Sequence, residues 1–369
     1  MKKIVVLSSH TPSLFWFRTD MMKEFVSRGC QVFALGNEEE SKWANKFAEN
    51  GITYQQIVVN RNGLNPLQDR KTLQSVKEKL KAIMPDKVFT YQAKTVIYGT
   101  MAANSLGITE VYPLIAGLGS LFLSDSIKTR IVRTGLMMLY KRAMRRCPAV
   151  FFQNKDDEEF FRKSGVIKKQ KVVLIHGSGV NIEMFQVLPL PPKPAFLFIG
   201  RLIRDKGINE YLEACKQVKH DYPDIRCLLV GPYDTNPSAL KPEELKSYID
   251  DGTIEYFGEQ SDVRPFIAQC SVFVLPSYRE GTPKTNLEAM ACGRAVITTD
   301  APGCKETVID GDNGFLVPIK SVEEICEKMK ILVNNPKTAE AMGKRGRSMI
   351  EESFDVKLVN ADICAAMGL

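Results

Sequence analysis

The chain has 369 residues, 44% hydrophobic and 25% charged. It is too long for one ordinary core, and its composition is that of a globular protein rather than a disordered or fibrous one. Residues 1–190 hold 28 Lys and Arg against 16 Asp and Glu, a net charge of +12, while residues 191–369 hold 22 against 27, a net of −5. The two parts therefore suit different partners, the basic one phosphates, anionic lipid or nucleic acid. Nine cysteines without a Cys-x-x-Cys pair argue against a disulfide framework or a zinc site and suit a reducing cytoplasm. No stretch approaches the roughly 20 apolar residues of a membrane-spanning helix, so any membrane contact is expected to be peripheral.

Met1-Lys2-Lys3 and the apolar run 4–7 resemble the start of a secretion signal, but the run breaks at Ser8-Ser9-His10 and reads better as a first strand. Short apolar runs at 4–7, 32–35, 57–59, 88–90, 111–115 and 150–153 then alternate with helical patterns near 17–28, 39–50, 66–83, 94–106, 127–146 and 156–164. A proline-rich stretch at 188–194 continues neither element type and predicts a linker. The alternation restarts with strands at 196–199, 227–230, 254–257, 272–275, 295–298 and 314–317. Helices are expected near 207–220, 241–250, 262–269, 283–292, 321–334 and 337–352. This predicts an α/β chain of two doubly wound Rossmann-like domains facing a cleft. The expected boundaries are a domain at 1–187 on the acceptor and membrane side, the linker at 188–194, a nucleotide-sugar domain at 195–352, and a tail at 353–369 packing back on the first domain.

The first chemical signal is the segment from Gly200-Arg201 to Lys206-Gly207. Gly200 lets the chain turn closely off a strand, and Arg201 and Lys206 can converge on an anion at a helix start. Alone, the segment also reads as a charged loop. A second signal follows another strand: Ser277-Tyr278-Arg279-Glu280-Gly281-Thr282-Pro283-Lys284-Thr285-Asn286-Leu287-Glu288. Pro283 suits a first helical turn, whose N–H groups at Lys284, Thr285 and Asn286 offer an anion pocket. Glu288, about one turn in, is placed to accept hydrogen bonds from vicinal hydroxyls. The two glutamates also read as a loop charge and a helix-face carboxylate.

Together with Gly303-Cys304-Lys305-Glu306 and the run from Gly311 to Pro318, these motifs resemble family 4 of the retaining glycosyltransferases, which have the two-domain GT-B architecture. The resemblance implies that Arg201 and Lys206 hold a donor diphosphate, that Glu288 holds the ribose, and that Glu280 lies against the transferred sugar. The turn at Gly258 resembles the family's uracil-side loop and so implies a UDP-sugar donor. In the first part, Phe17-Arg18, Gly117-Leu118-Gly119-Ser120, Phe151 to Asp157 and Gly177 to Phe185 resemble the branch that extends glycans on polyprenyl-diphosphate carriers. One member of that branch transfers N-acetylgalactosamine to bacillosaminyl-diphospho-undecaprenol. The implied role is transfer of a hexose or N-acetylhexosamine in bacterial surface polysaccharide or glycoprotein glycan assembly, at the cytoplasmic face of the membrane.

Two positions depart from the family pattern. The first strand-to-helix loop lacks a glycine pair, and Ala116-Gly117-Leu118-Gly119 stands where many members have a histidine. Backbone groups of Gly117 and Gly119 are one replacement; a tight turn is the other reading. No Asp-x-Asp pair of the kind that holds a metal-diphosphate complex is recognised, so transfer without metal is expected. The stretch from Lys128 to Arg146 holds seven basic residues and no acidic one. On a helical wheel Ile131, Val132, Gly135, Leu136, Met138, Leu139 and Ala143 share one side, Arg130, Arg133, Lys141 and Arg145 the other, and Arg142 intrudes on the apolar arc. This reads as a surface helix or as one lying on anionic lipid, with Leu14 to Phe17 and Leu121-Phe122-Leu123 as further apolar contacts. Other readings of the chain are a sugar-nucleotide 2-epimerase, which shares the architecture, and a non-catalytic relative binding membrane or nucleic acid.

Overall fold

The computed structural model describes residues 1–60, 63, 65–122, 126–236 and 238–369. They form two compact units, the first made of 1–178 and 356–369 and the second of 179–355. In the first, strands β1 (Lys3–Leu7), β2 (Gln31–Gly36), β3 (Ile52–Gln56), β4 (Lys87–Tyr91), β5 (Val111–Ile115), β6 (Ala149–Phe152) and β7 (Lys171–Leu174) form a parallel sheet in the order β3-β2-β1-β4-β5-β6-β7. Between them run helices α1 (Thr11–Ser27), α2 (Glu40–Ala48), α3 (Pro66–Ile83), α4 (Thr100–Ser105), α5 (Ile127–Met144) and α6 (Lys155–Lys163). One wide turn of π-helix, Thr95–Gly99, leads into α4.

The second unit repeats the plan with β8 (Ala195–Ile199), β9 (Arg226–Val230), β10 (Glu255–Tyr256), β11 (Val272–Leu275), β12 (Ala295–Thr299) and β13 (Gly314–Val317), ordered β10-β9-β8-β11-β12-β13. Its helices are α7 (Ile208–Asp221), α8 (Pro242–Asp250), α9 (Arg264–Ile267), α10 (Lys284–Ala291), α11 (Val322–Asn334) and α12 (Pro336–Met349). The last helix, α13 (Val356–Met367), packs its Val359, Ile363, Cys364 and Met367 into the core of the first unit beside Met21 and Phe25 of α1. Each sheet is covered on both faces, so its central strands are apolar throughout, as in Ile4–Leu7 and Phe196–Ile199, where every residue is buried. All nine cysteines are buried and reduced.

The structure moves several expected boundaries. The run at 57–59 is not a strand: β3 lies just before it, and its alternation of buried Ile52 and Tyr54 with exposed Thr53 is the period-2 signature of an edge strand, which a search for apolar runs passes over. Strand β7 is a further strand not expected above, although Val172-Val173-Leu174-Ile175 is an apolar run of the same kind. Helix α1 starts at Thr11 rather than near 17, because Asn37 accepts the Thr11 N–H at 2.9 Å and Pro12 fits the first turn. The stretch 188–194 lies inside the second unit instead of between the two. Arg294, fully buried, donates to the carbonyls of Leu188 at 2.8 Å, Pro189 at 2.9 Å and Ile267 at 3.0 Å.

Arg294 thus supplies donors to two carbonyls in irregular backbone, those of Leu188 and Pro189, and to that of Ile267 at the end of α9. Arg294→Met, similar in length and apolar, strands them. It is expected to lower the stability of the second unit by about 3 kcal/mol or more, measured as a shift in the urea midpoint.

Candidate functional site

In the second unit the loops leaving the C-terminal ends of β8, β9, β11 and β12 meet through backbone contacts that only glycine permits. A Cβ on Gly231 would fall 1.8 Å from the Gly200 carbonyl oxygen, one on Gly207 2.1 Å from that of Pro276, and one on Gly303 2.3 Å from that of Glu280. Hydrogen bonds fix the same crossings. Tyr278 N–H and Ser277 Oγ donate to the Asp205 carbonyl at 2.9 and 3.2 Å, and Glu280 N–H donates to that of Pro302 at 2.9 Å. Gly231 N–H donates to Gly258, whose positive φ of 67° makes the turn after β10.

This crossing brings together Lys206 and Glu280, 74 positions apart, as a half-buried ion pair. Arg201, at the end of β8, donates one Nη to Asp234 at 2.8 Å. Its other donors bond no described residue, and so remain for a ligand. Gly281 is buried and Thr282 half-buried between Glu280 and α10. Pro283 is the N-cap of α10 rather than part of its first turn, and Asn286 N–H already donates to the Pro283 carbonyl at 3.1 Å. The anion pocket expected at Lys284, Thr285 and Asn286 therefore loses its third member. Asn286 is buried and donates its side-chain amide to Thr307 at 2.9 Å.

One literal Asp-x-Asp does occur, Asp310-Gly311-Asp312. It is used in a turn before β13: Asp310 accepts the Leu316 N–H at 2.9 Å, and Asp312 accepts from Arg345 at 2.9 Å. Among the described residues no group of three His, Cys, Asp or Glu is arranged to hold a metal ion.

In the first unit Gly117 and Gly119 have φ of 94° and 71°, so the loop after β5 is a turn that needs glycine. Helix α5 differs from the wheel. Ile127, Ile131 and Met138 are exposed on the same face as Arg130, Lys141, Arg142 and Arg145, giving an outer surface both apolar and basic. Arg133 is half-buried instead, over the Phe122 ring at 5.1 Å and donating to the Leu121 carbonyl at 3.3 Å. Leu123 lies outside the described residues. Arg18, on α1, is buried against Tyr91.

Residues 180–349 match the family model described as glycosyl transferases group 1. The chain carries a group 1 glycosyltransferase domain. Across 349 residues, 91% of this chain and 90% of the relative, it is 29% identical to the N,N'-diacetylbacillosaminyl-diphospho-undecaprenol alpha-1,3-N-acetylgalactosaminyltransferase of Campylobacter jejuni. Two solved structures establish the fold as GT-B: sucrose-phosphate synthase of Thermosynechococcus elongatus, with a TM-score of 0.82, 18% identity and coverage of 99% and 98% of the two chains, and Anabaena HepE in complex with UDP-glucose, with a TM-score of 0.78, 17% identity and full coverage of both.

Two participants in the glycosyltransferase's loop crossing lie outside the motifs, Asp234 and Gly231, and a third, Tyr278, lies within the motif that runs from Ser277 to Glu288 but has no role assigned to it there. Gly231-Pro232 directly after an apolar run is a turn signal, and a glycine there marks close backbone approach. Nothing local marks Asp234, which matters through a partner 33 positions away. Glu288 has an unusual environment. It is buried, and desolvation raises its carboxyl to about pKa 7; Lys284, 3.9 Å away, opposes the shift, and Asp262 adds to it. A carboxyl raised above its unfolded value favours the folded state while protonated and costs stability as pH climbs through the folded value.

Glu288→Gln, which does not titrate, is therefore expected to raise the ligand-free Tm by roughly 5 °C near pH 8.5 and to change it little near pH 5. Calorimetry across that range reads it. A Tm difference independent of pH would show that Glu288 is not buried in its ionised form.

Proposed function

We propose that this glycosyltransferase moves a hexose or N-acetylhexosamine, with retention of configuration and without a divalent ion, from a UDP-sugar to a polyprenyl-diphosphate-linked glycan in surface polysaccharide or glycoprotein glycan assembly. The observation that carries the reading is the Lys206–Glu280 ion pair, held by the loop crossing four residues ahead of α10. In this reading Lys206, the open donors of Arg201 and the positive end of α10 stabilise charge as the diphosphate departs, in a site whose backbone is already fixed. Glu280 holds Lys206 in place and faces the sugar, and Glu288 receives the two ribose hydroxyls as a carboxylate with two acceptor oxygens. No protein nucleophile is required: the acceptor oxygen approaches the face the diphosphate leaves, and a diphosphate oxygen takes its proton.

Uridine as the base is supported by the turn at Gly258 and by the UDP-glucose bound to the GT-B neighbour. The lipid-linked acceptor is supported by the Campylobacter relative, whose acceptor is named as a diphospho-undecaprenol. No helix among the described residues is long and apolar enough to cross a membrane, so attachment in this reading is peripheral, through the outer face of α5.

Lys206→Ala removes a charge-assisted bond worth roughly 1.5–3 kcal/mol and is expected to cut UDP-sugar turnover at least about tenfold with the fold intact. Turnover of the unmodified enzyme is expected to persist in excess EDTA. Loss of activity in chelator, restored by magnesium or manganese, contradicts the metal-free reading; near-normal turnover of Lys206→Ala contradicts the site.

Changing Arg130, Lys141, Arg142 and Arg145 together to Gln removes four cations, each contributing on the order of 1 kcal/mol near an anionic leaflet. Binding to phosphatidylglycerol vesicles is expected to fall steeply while UDP binding stays unchanged. Undiminished vesicle binding makes α5 an ordinary surface helix.

A further inference from the structure

Arg18 occupies a position that packing alone does not explain. Its helical neighbours Leu14, Met21, Met22 and Phe25 are buried in the apolar core, and Arg18 itself is only 3% exposed. Its guanidinium lies over the Tyr91 ring, 5.2 Å from the centroid. It makes no ion pair and no hydrogen bond with any described residue, and Nε is enclosed without a partner. Burial pulls its pKa down to about 10, with the Tyr91 phenol as its electrostatic neighbour. At neutral pH the charge therefore persists, with five N–H donors and, among the described residues, no carboxylate to receive them. Burying an unpaired cation costs several kcal/mol, and a Leu or Met at this position would fill the space without that cost.

The surroundings are built rather than incidental. Tyr91 ends β4, and its hydroxyl donates to Ser13 Oγ at 3.3 Å. Gln92, the next residue, has φ of 69°, a strained left-handed conformation for a side chain of this kind. Its Oε1 accepts from Ser8 Oγ at 3.0 Å, Ser9 N–H at 3.1 Å and Ser9 Oγ at 2.8 Å, which fixes the loop between β1 and α1. The π-helical turn, a distortion common at functional sites, starts three residues later. On α1, turned away from the core side that carries Arg18, Trp16 and Phe17 are 55% and 45% exposed.

We propose that Arg18, seated on Tyr91, is the centre of an anion-binding site in the first unit that takes a phosphate or diphosphate group, and that Trp16 and Phe17 receive an apolar chain attached to it. The chemistry fits an isoprenoid diphosphate, in which one molecule supplies both the anion and the hydrocarbon. Assigning it to the acceptor rests on the function proposed above; a free phosphate or pyrophosphate is the other source of the same anion.

The test uses the full chain and three probes, farnesyl diphosphate, inorganic pyrophosphate and farnesol, with UDP as a control for the second unit. Arg18→Met keeps the volume and removes the charge. It is expected to weaken farnesyl diphosphate about tenfold or more, to leave farnesol and UDP unchanged, and to leave the ligand-free Tm equal or higher, because an uncompensated charge has gone. A supporting strut would instead lose Tm. Arg18→Lys, which keeps the charge without the planar fork, is expected to fall between the two, and it provides the comparison if the Met variant does not fold. Stronger binding of farnesyl diphosphate than of pyrophosphate, reduced by Trp16→Ser with Phe17→Ser, supports the lipid source. Equal binding of both, each lost with Arg18, keeps the anion site and rejects the lipid part. Unchanged affinity for both in a folded Arg18→Met protein overturns the proposal, even where transfer to a lipid-diphosphate acceptor is normal. Transfer to an acceptor without phosphate overturns the acceptor reading and leaves the anion site to be judged on pyrophosphate.

Discussion

Everything the second unit does depends on how closely its loops cross at the strand ends. The Gly200 carbonyl oxygen lies where Gly231 would carry a Cβ, and Pro276 and Glu280 stand in the same relation to Gly207 and Gly303. Three such approaches leave the backbone no freedom to spread. The side chains gathered there need no rearrangement when charge develops, which is the condition under which fixed dipoles and cations stabilise it best. A single methyl group at any of the three glycines moves a whole loop, so the geometry rests on the absence of atoms as much as on the contacts made.

The pairing of Lys206 with Glu280 illustrates what the sequence shows and what it withholds. Each residue sits in a recognisable strand-to-helix loop, so the elements were legible from apolar runs and turn residues. Their meeting is tertiary: it requires β8 and β11 to be neighbours in the sheet, which follows from the strand order and not from local spacing. Asp234 was invisible for the same reason. Errors at the sheet edges have a different cause. Strand β3 is covered on one side and so lacks the continuous apolar signal of the centre, whereas β7 carries that signal in Val172-Val173-Leu174 and is half-covered all the same. The proline stretch at 188–194 had the composition of a linker, yet a single buried arginine over a hundred positions away holds its first two carbonyls.

Helix α5 shows the limit of a helical wheel. The wheel assigns sides by angle, but which angle faces the core depends on neighbours. Here Arg133 turns inward onto Phe122, while Ile127, Ile131 and Met138 stay outside among the cations. The result is an exposed face that carries both apolar and basic side chains, the face used in the peripheral attachment proposed above.

The return of the chain end to the first unit sets the order in which the protein is built. Helix α13 covers apolar positions of α1, although about three hundred residues of synthesis separate the two. On the ribosome, residues 179–355 emerge as a continuous unit with all their own strands and can complete their core while the first unit still lacks a helix. Until α13 is made, the first unit lacks the side chains of Val359, Ile363, Cys364 and Met367 from the core that holds Met21 and Phe25. The interval is a window for chaperone contact or misassembly, set by the length of the inserted unit.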